Sequence, residues 1–190
     1  MNEAEQALLD AALQVFSRYG VKRSSMSDLC EEAGVSRQTF YNHFRNKGDI
    51  LRALIRSFTE RALAGIEAGR RTRSTLGEQL DLVFEQTVVA GYDMVAAMPN
   101  AEDFVDGVHD SSKEGMEAAH QQFRDVFAEI LAPYAATLND RGLDVVALSE
   151  LLQRASKAAG LNARDRDHLL TQLATLRQLC LAATGQPNGN

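Results

Sequence analysis

Apolar side chains recur at helical spacing just after Ser24, and this pattern predicts a short helix. They are Met26, Leu29, Cys30 and Ala33. Ser25 stands where a helix N-cap is expected, and Asp28 follows at the spacing of a capping box. Gly34 comes where a left-handed residue commonly ends a helix, so we expect a sharp turn there.

A second short helix is predicted directly after this turn. Ser36 can cap it, and Phe40 and Phe44 lie four residues apart on one face, as expected for anchors that point into a core. A helix, a short turn containing glycine and a second helix together form the helix-turn-helix pattern of DNA-binding proteins.

The remaining positions of the second helix carry side chains suited to DNA. Arg37 and Gln38 fall in its first turn, and these residue types pair with guanine and adenine edges. Thr39 offers a methyl group or a hydroxyl, while Tyr41, His43 and Lys47 are placed to bind the phosphate backbone. The predicted DNA-binding residues are Ser25, Ser36, Arg37, Gln38, Thr39, Tyr41, Asn42, His43 and Lys47.

The segment AGVSRQTFYNHFRNKGDILRAL resembles the N-terminal DNA-binding domain of the TetR family of bacterial transcriptional regulators. The preceding segment LLDAALQVFSRYGVKRSSMSDLC also follows that family's pattern, so the resemblance covers about residues 5–55. Where Gln38 stands the family commonly has glycine or another small residue, so Gln38 is a candidate for a base preference particular to this chain.

The rest of the chain predicts consecutive helices and no sheet. Three prolines, no tryptophan and many Ala, Leu, Glu, Gln and Arg residues favour helix. We therefore predict an all-α fold of about nine helices: a three-helix helix-turn-helix domain, then a helical bundle for ligand binding and dimerisation. The predicted boundaries are 1–48 for the DNA-binding domain, 49–184 for the bundle and 185–190 for a flexible tail.

The charge is distributed unevenly along the chain. The net charge is −6, yet residues 18–47 contain six basic and three acidic side chains, which gives +3. A locally basic segment on an acidic protein favours DNA binding in one orientation.

The resemblance implies that the last two helices pair with those of a second copy, forming a four-helix interface in a homodimer. The predicted interface residues are Leu148, Leu151, Leu152, Ala155, Leu169, Leu173, Leu176 and Cys180. The alternative is that these residues only fill the core of their own chain.

Large or soft side chains on the middle helices are candidates for a pocket that binds a partly apolar small-molecule effector. They are Phe58, Phe84, Met94, Met98, Phe104, Met116, His120, Phe123, Phe127 and Tyr134. His120 interrupts an apolar stripe and could orient a ligand, although a satisfied core histidine is the simpler interpretation.

Other functional classes receive little support from the sequence. No nucleophile elbow, phosphate-binding glycine loop or paired histidine ligands occur, so we expect no enzymatic activity, catalytic residue, metal or cofactor. Cys30 and Cys180 lie on apolar helical faces and are expected to be buried free thiols. No apolar run is long enough to span a membrane, and we expect a cytoplasmic protein.

The sequence therefore predicts a TetR-like repressor that binds a palindromic double-stranded DNA operator as a homodimer and is released by its effector. The alternative is a constitutive DNA-binding or protein-partner module without a small-molecule effector.

Overall fold

The computed structural model describes residues 3–111 and 113–187, except for the side chains of residues 110 and 111. Every regular element in these ranges is a helix. The α-helical segments are α1 (Glu3–Tyr19), α2 (Met26–Glu32), α3 (Arg37–His43), α4 (Lys47–Arg70), α5 (Leu76–Phe84), α6 (Ala90–Ala96), α7 (Ala101–Ser111), α8 (Lys113–Leu131), α9 (Ala135–Asp140), α10 (Val145–Asn162) and α11 (Arg166–Thr184).

Two of these helices are interrupted without the chain leaving the helical path. A π-helical turn, Glu85–Val89, joins α5 to α6, and a 3₁₀ turn, Ala132–Tyr134, joins α8 to α9 at Pro133. Proline lacks the N–H that an α-helix needs, which explains the second interruption. Counting each joined pair as one helix, the described residues contain nine helices, which confirms the predicted all-α fold.

The chain divides into two compact units that do not coincide with the predicted domain boundaries. The first, here the head unit, comprises Met1–Glu60 and Met94–Ala119; the second, the body unit, comprises Arg61–Asp93 and His120–Asn190. Both α4 and α8 run from one unit into the other. Of the predicted tail, residues 188–190 lie outside the described part, while Gly185 ends α11 in a left-handed conformation.

The core of the head unit joins the helix-turn-helix to α1 and α7. Phe40 and Phe44 are both buried, with ring centroids 5.8 Å apart, as their spacing predicted. They pack in one cluster with residues of α1, α2 and α4, and with Met98 and Phe104 from the distant part of the sequence.

The core of the body unit is built from α5, α8, α10 and α11. Phe84 and Phe127 lie at its centre with ring centroids 5.9 Å apart. Leu152, Leu169, Leu173 and Cys180 belong to this core, and none of the four is more than 4% exposed.

The burial of these four residues corrects their assignment to a dimer interface. Leu148, Ala155 and Leu176 are half-buried, so Leu151, which is 61% exposed, is the one predicted interface residue that lies open to solvent. A leucine period marks the face of a helix that is buried, and here the monomer's own core buries it.

The turn between α1 and α2 is tied to the start of α4 by Lys47. The half-buried Lys47 ammonium donates hydrogen bonds to the carbonyl oxygens of Val21 (2.6 Å) and Ser24 (2.9 Å). The Ser24 hydroxyl donates in turn to the carbonyl oxygen of Gly20. The ammonium predicted to bind phosphate is therefore engaged within the protein, so we correct its expected role to holding this turn.

Residues of α7 and the turn before it hold the same α1–α2 turn from a second direction. The Asn100 amide donates to the carbonyl oxygen of Arg18 (2.8 Å) and accepts from the Arg23 guanidinium (3.0 Å). Asp103 accepts from the backbone N–H of Lys22 (3.0 Å). Gly20, at φ +83°, lies so close to this carboxylate that a Cβ there would be 2.5 Å from Asp103 Oδ2.

Replacing Lys47 with methionine should destabilise the head unit, because the apolar stem remains while the turn carbonyls lose a charged donor. We expect the free energy of unfolding to fall by about 1–3 kcal/mol. Urea unfolding followed by circular dichroism measures this change.

Lys22→Met is the matched control, since its exposed ammonium makes ion pairs of 3.7 and 3.9 Å to Asp106 and Asp103. Exposed pairs of this kind contribute about 0–1 kcal/mol. Equal losses in the two variants would contradict the structural role given to Lys47.

Candidate nucleic-acid interface

The first helix of the motif begins with the predicted capping box. The backbone N–H of Asp28 donates to Ser25 Oγ (3.2 Å), and the backbone N–H of Ser25 donates to the Asp28 carboxylate (2.7 Å). The bond from the Ser25 backbone lowers the pKa of Asp28, so the carboxylate stays charged and stabilises the start of α2. Ser25 therefore has a structural role, and its predicted contact with DNA stays a prediction.

The turn between α2 and α3 is equally well defined. Gly34 adopts φ +63°, the left-handed conformation that glycine tolerates, and the N–H of Val35 donates to the carbonyl oxygen of Cys30 (3.2 Å). Ser36 caps α3 by accepting from the N–H of Thr39 (3.1 Å), and the two hydroxyl oxygens lie 2.9 Å apart. The backbone bond in the turn and the Ser36 side-chain cap thus fix where α3 begins.

The outer face of α3 is polar and open to solvent. The Phe40 side chain is fully buried in the core of the head unit. The neighbouring residues predicted to bind DNA are all exposed: Ser36, Arg37, Gln38, Thr39, Tyr41, Asn42 and His43. Tyr41 is 45% exposed, which is high for a large aromatic residue. Seven of the nine predicted residues are therefore exposed along α3 and its N-cap, whereas Ser25 caps α2 and the Lys47 ammonium is held by the α1–α2 turn.

Three more of these side chains, Arg37, Gln38 and Asn42, are hydrogen-bonded within the protein. Gln38 Nε2 donates to Asn42 Oδ1 (2.8 Å) along the helix, and Arg37 Nη2 donates to Ser27 Oγ (2.5 Å) on α2. The sequence predicted neither Ser27 nor the Gln38–Asn42 pair as part of the site.

The basic charge near the interface is partly balanced by local acids. Arg45 Nε donates to Asp49 Oδ2 (2.9 Å), and Arg52 donates to the same carboxylate. The Arg45 guanidinium lowers the pKa of Asp49, so this carboxylate is charged at neutral pH. Because the Arg45 side chain is 83% exposed, its cation remains available to a phosphate at the end of the motif.

A cleft of about 810 Å³ lies in the head unit, away from the predicted ligand residues. Its lining is mainly charged or polar and comprises Val15, Arg18, Tyr19, Arg23, Asp28, Glu31, Glu32 and Asn100. It contains no residue of α3 and no member of the predicted effector pocket.

The predicted pocket residues are distributed between the two units. Met98 and Phe104 are buried in the head core, Met94 packs against that core, and Phe58 and Met116 are half-buried members of the same unit. In the body unit, Phe84 and Phe127 form its core, Tyr134 packs against it, and His120 and Phe123 are half-buried. The ten residues are therefore divided between the two units, and their assignment to an effector pocket stays a prediction.

Both cysteines are buried and free, as expected. Burial raises the pKa of the Cys180 thiol to about 11, so this thiol is protonated and unreactive at neutral pH. Within residues 3–111 and 113–187, no three His, Cys, Asp or Glu side chains are grouped to hold a metal ion. None of the helices described is long and apolar enough to cross a membrane.

Comparison with known proteins matches the helix-turn-helix and the helices around it. Residues 8–54 match the family model described as bacterial regulatory proteins, tetR family. The fatty acid metabolism regulator protein of Bacillus subtilis is 30% identical over 97 residues, which are 50% of this chain and 50% of that protein. The transcriptional regulator TtgR of Pseudomonas putida is 38% identical over 58 residues, 30% of this chain and 28% of that one. The matches thus span half or less of these curated relatives.

Solved structures share the fold over nearly the whole chain. A transcriptional regulator from Rhodococcus has a TM-score of 0.71 at 17% identity and covers 94% of this chain and 96% of its own. The fatty acid degradation regulator FadR from Bacillus halodurans has a TM-score of 0.69 at 17% identity, with 95% and 96% covered. Residues 8–54, which include the exposed polar helix α3, thus carry the N-terminal domain of the tetR family of bacterial regulatory proteins, and the described part of the chain shares the all-helical fold of these solved regulators.

Proposed function

We propose that the protein is a repressor that binds a palindromic operator as a homodimer and is released by a partly apolar small molecule. The observation that carries the DNA-binding part is the exposed polar face of α3, held by backbone caps at Ser36 and by the buried Phe40. Because the bacterial chromosome is its target, we place its action in the cytoplasm.

The first turn of α3 supplies the base contacts in this proposal. Arg37 has the fork geometry that pairs with guanine, and Gln38 can pair with adenine once it exchanges its bond to Asn42. Tyr41, His43 and Arg45 lie further along and are assigned to phosphates, as are the hydroxyls of Ser25, Ser36 and Thr39.

Selection of bound sequences from random double-stranded DNA tests the first part. We expect the wild type to select a palindrome whose half-sites lie about one helical turn, roughly 34–36 Å, apart. Arg37→Ala should weaken operator binding by about 1–3 kcal/mol and relax the preference at one base pair of each half-site.

Arg71→Ala is the matched control, because it removes the same charge from an exposed arginine in the body unit. We expect Arg71→Ala to select the same sequence as the wild type and to bind it with the same affinity. If Arg37→Ala did so too, the assignment of α3 to the major groove would be refuted.

Exposed leucines on the last two helices support the homodimer. Leu151 and Leu161 of α10 are 61% and 64% exposed, and Leu179 of α11 is 63% exposed. Burying an exposed leucine releases about 1.5–3 kcal/mol, so covering these leucines with a second copy favours association. We propose that the exposed positions of α10 and α11 contribute the interface, in place of the buried residues predicted from the leucine period.

Charge introduced into this face should separate the dimer. We expect Leu151→Glu with Leu179→Glu to sediment as a monomer in analytical ultracentrifugation and to lose most of its affinity for the palindrome. The control is Val105→Glu, an exposed apolar residue of α7 in the head unit, which should remain dimeric. A double variant that sediments like this control would exclude the proposed interface.

The effector site is proposed in the body unit. Phe84 and Phe127 form an aromatic centre there, and Phe123, Tyr134 and His120 are less completely buried around the same helices. The π-helical turn Glu85–Val89 directly follows Phe84, and such turns recur at functional sites. Effector binding would reach the head unit along α4 and α8, which are continuous through both units.

Repression and release can be tested together. With the selected operator placed in a reporter promoter, wild-type protein should lower expression, and Arg37→Ala should restore it. Native mass spectrometry of purified protein, before and after unfolding and refolding, identifies a molecule that co-purifies with it. Removal of that molecule should strengthen operator binding, since coupling energies are typically about 1–3 kcal/mol. If the protein represses the reporter, carries no co-purified molecule and binds the operator with the same affinity after refolding, the constitutive DNA-binding module is favoured instead.

A further inference from the structure

The hydrogen bond between Arg37 and Ser27 joins the two helices of the DNA-binding motif through side chains. Ser27 lies in the first turn of α2 and Arg37 in the first turn of α3, and both side chains are exposed. Arg37 Nη2 donates to Ser27 Oγ across 2.5 Å. By contrast, the Gln38–Asn42 pair on the same surface is formed within α3 alone.

The distance between these two positions is set by the packed backbone. Both helices are capped at their first turns by Ser25 and Ser36, and the turn between them is closed by the bond from Val35 to Cys30. Leu29 of α2 and Phe40 of α3 are fully buried in the same core. Ser27 is therefore a fixed point toward which the long Arg37 side chain extends.

The chemistry of the pair leaves Arg37 able to bind a base. A guanidinium has five N–H donors, and Ser27 uses one of them, whereas a guanine edge needs two. An unrestrained arginine loses side-chain entropy when it binds, and a partner that holds it in place reduces that loss.

We propose that Ser27 is a positioning residue for DNA recognition: its hydroxyl holds the Arg37 guanidinium and thereby sharpens specificity at the base pair that Arg37 contacts. This inference rests on the proposed function, since it assumes that α3 enters the major groove. It assigns Ser27 an effect on sequence discrimination that acts through another side chain.

Operator binding by full-length Ser27→Ala and Ser27→Thr variants tests this inference. Ala removes the hydroxyl without lowering helix propensity, and Thr retains a hydroxyl on the same carbon. Dissociation constants are measured for the selected operator and for versions altered at each base pair in turn. We expect Ser27→Ala to reduce discrimination by about 3- to 10-fold, the effect of one hydrogen bond, at the base pair affected by Arg37→Ala. Ser27→Thr should restore it.

Double variants separate positioning from a direct contact. In the Arg37→Ala background, Ser27→Ala should have no further effect, because the group that it positions is gone. In the Gln38→Ala background the two losses should add, since Ser27 is inferred to act on Arg37 and not on Gln38.

The outcomes distinguish this inference from the proposed function. If the wild type selects an operator and Ser27→Ala discriminates as well as it does, the positioning role is refuted while DNA recognition stands. If Ser27→Ala weakens binding equally with and without Arg37, Ser27 contacts DNA directly and the positioning role is again refuted. If the wild type selects no sequence, the proposed function itself fails.

Discussion

The Lys47 ammonium is the interaction on which the geometry of the head unit depends. Lys47 is the first residue of α4 and follows α3 closely in the sequence. Its ammonium binds carbonyl oxygens of the turn that precedes α2. Both ends of the helix-turn-helix are thus attached to one another through a single charged side chain. Carbonyl groups in a turn lack helical partners, and a partly buried cation satisfies two of them at once.

The same turn also explains why a distant segment belongs to the head unit. Asn100 and Asp103 bind its backbone, and Gly107 lies where a Cβ would be 3.0 Å from Val21. Residues about 80 positions away in the sequence therefore fix the end of α1 and the entry to α2. This arrangement connects α7 to the turn that leads into the helix-turn-helix.

Local sequence was sufficient to predict the exposed polar surface of α3, because the caps and the turn that form it involve residues close together in the sequence. Ser25, Asp28, Gly34 and Ser36 act on backbone groups within four residues, so their spacing alone predicts the caps and the turn. Phe40 and Phe44 follow the helical period, and the exposed polar positions are those that remain on the opposite face. The same reasoning could not find the Lys47, Asn100 and Ser27 contacts, because each joins groups from elements that are separate along the sequence.

By itself, the sequence determined the helical fold, the helix-turn-helix motif and the exposed polar positions of α3, since helix period and capping are encoded over short distances. Only the tertiary structure decided which leucines are core and which are surface. Leu169 and Leu179 are both on α11, yet one is fully buried and the other is 63% exposed. A helical period of apolar residues shows that one face of the helix is buried, but it does not show which element buries it. Here α11 packs against α5 and α10 of its own chain, and Leu179 remains exposed. The same limit applies to the aromatic residues of the middle helices, which the tertiary structure divides between the cores of two units.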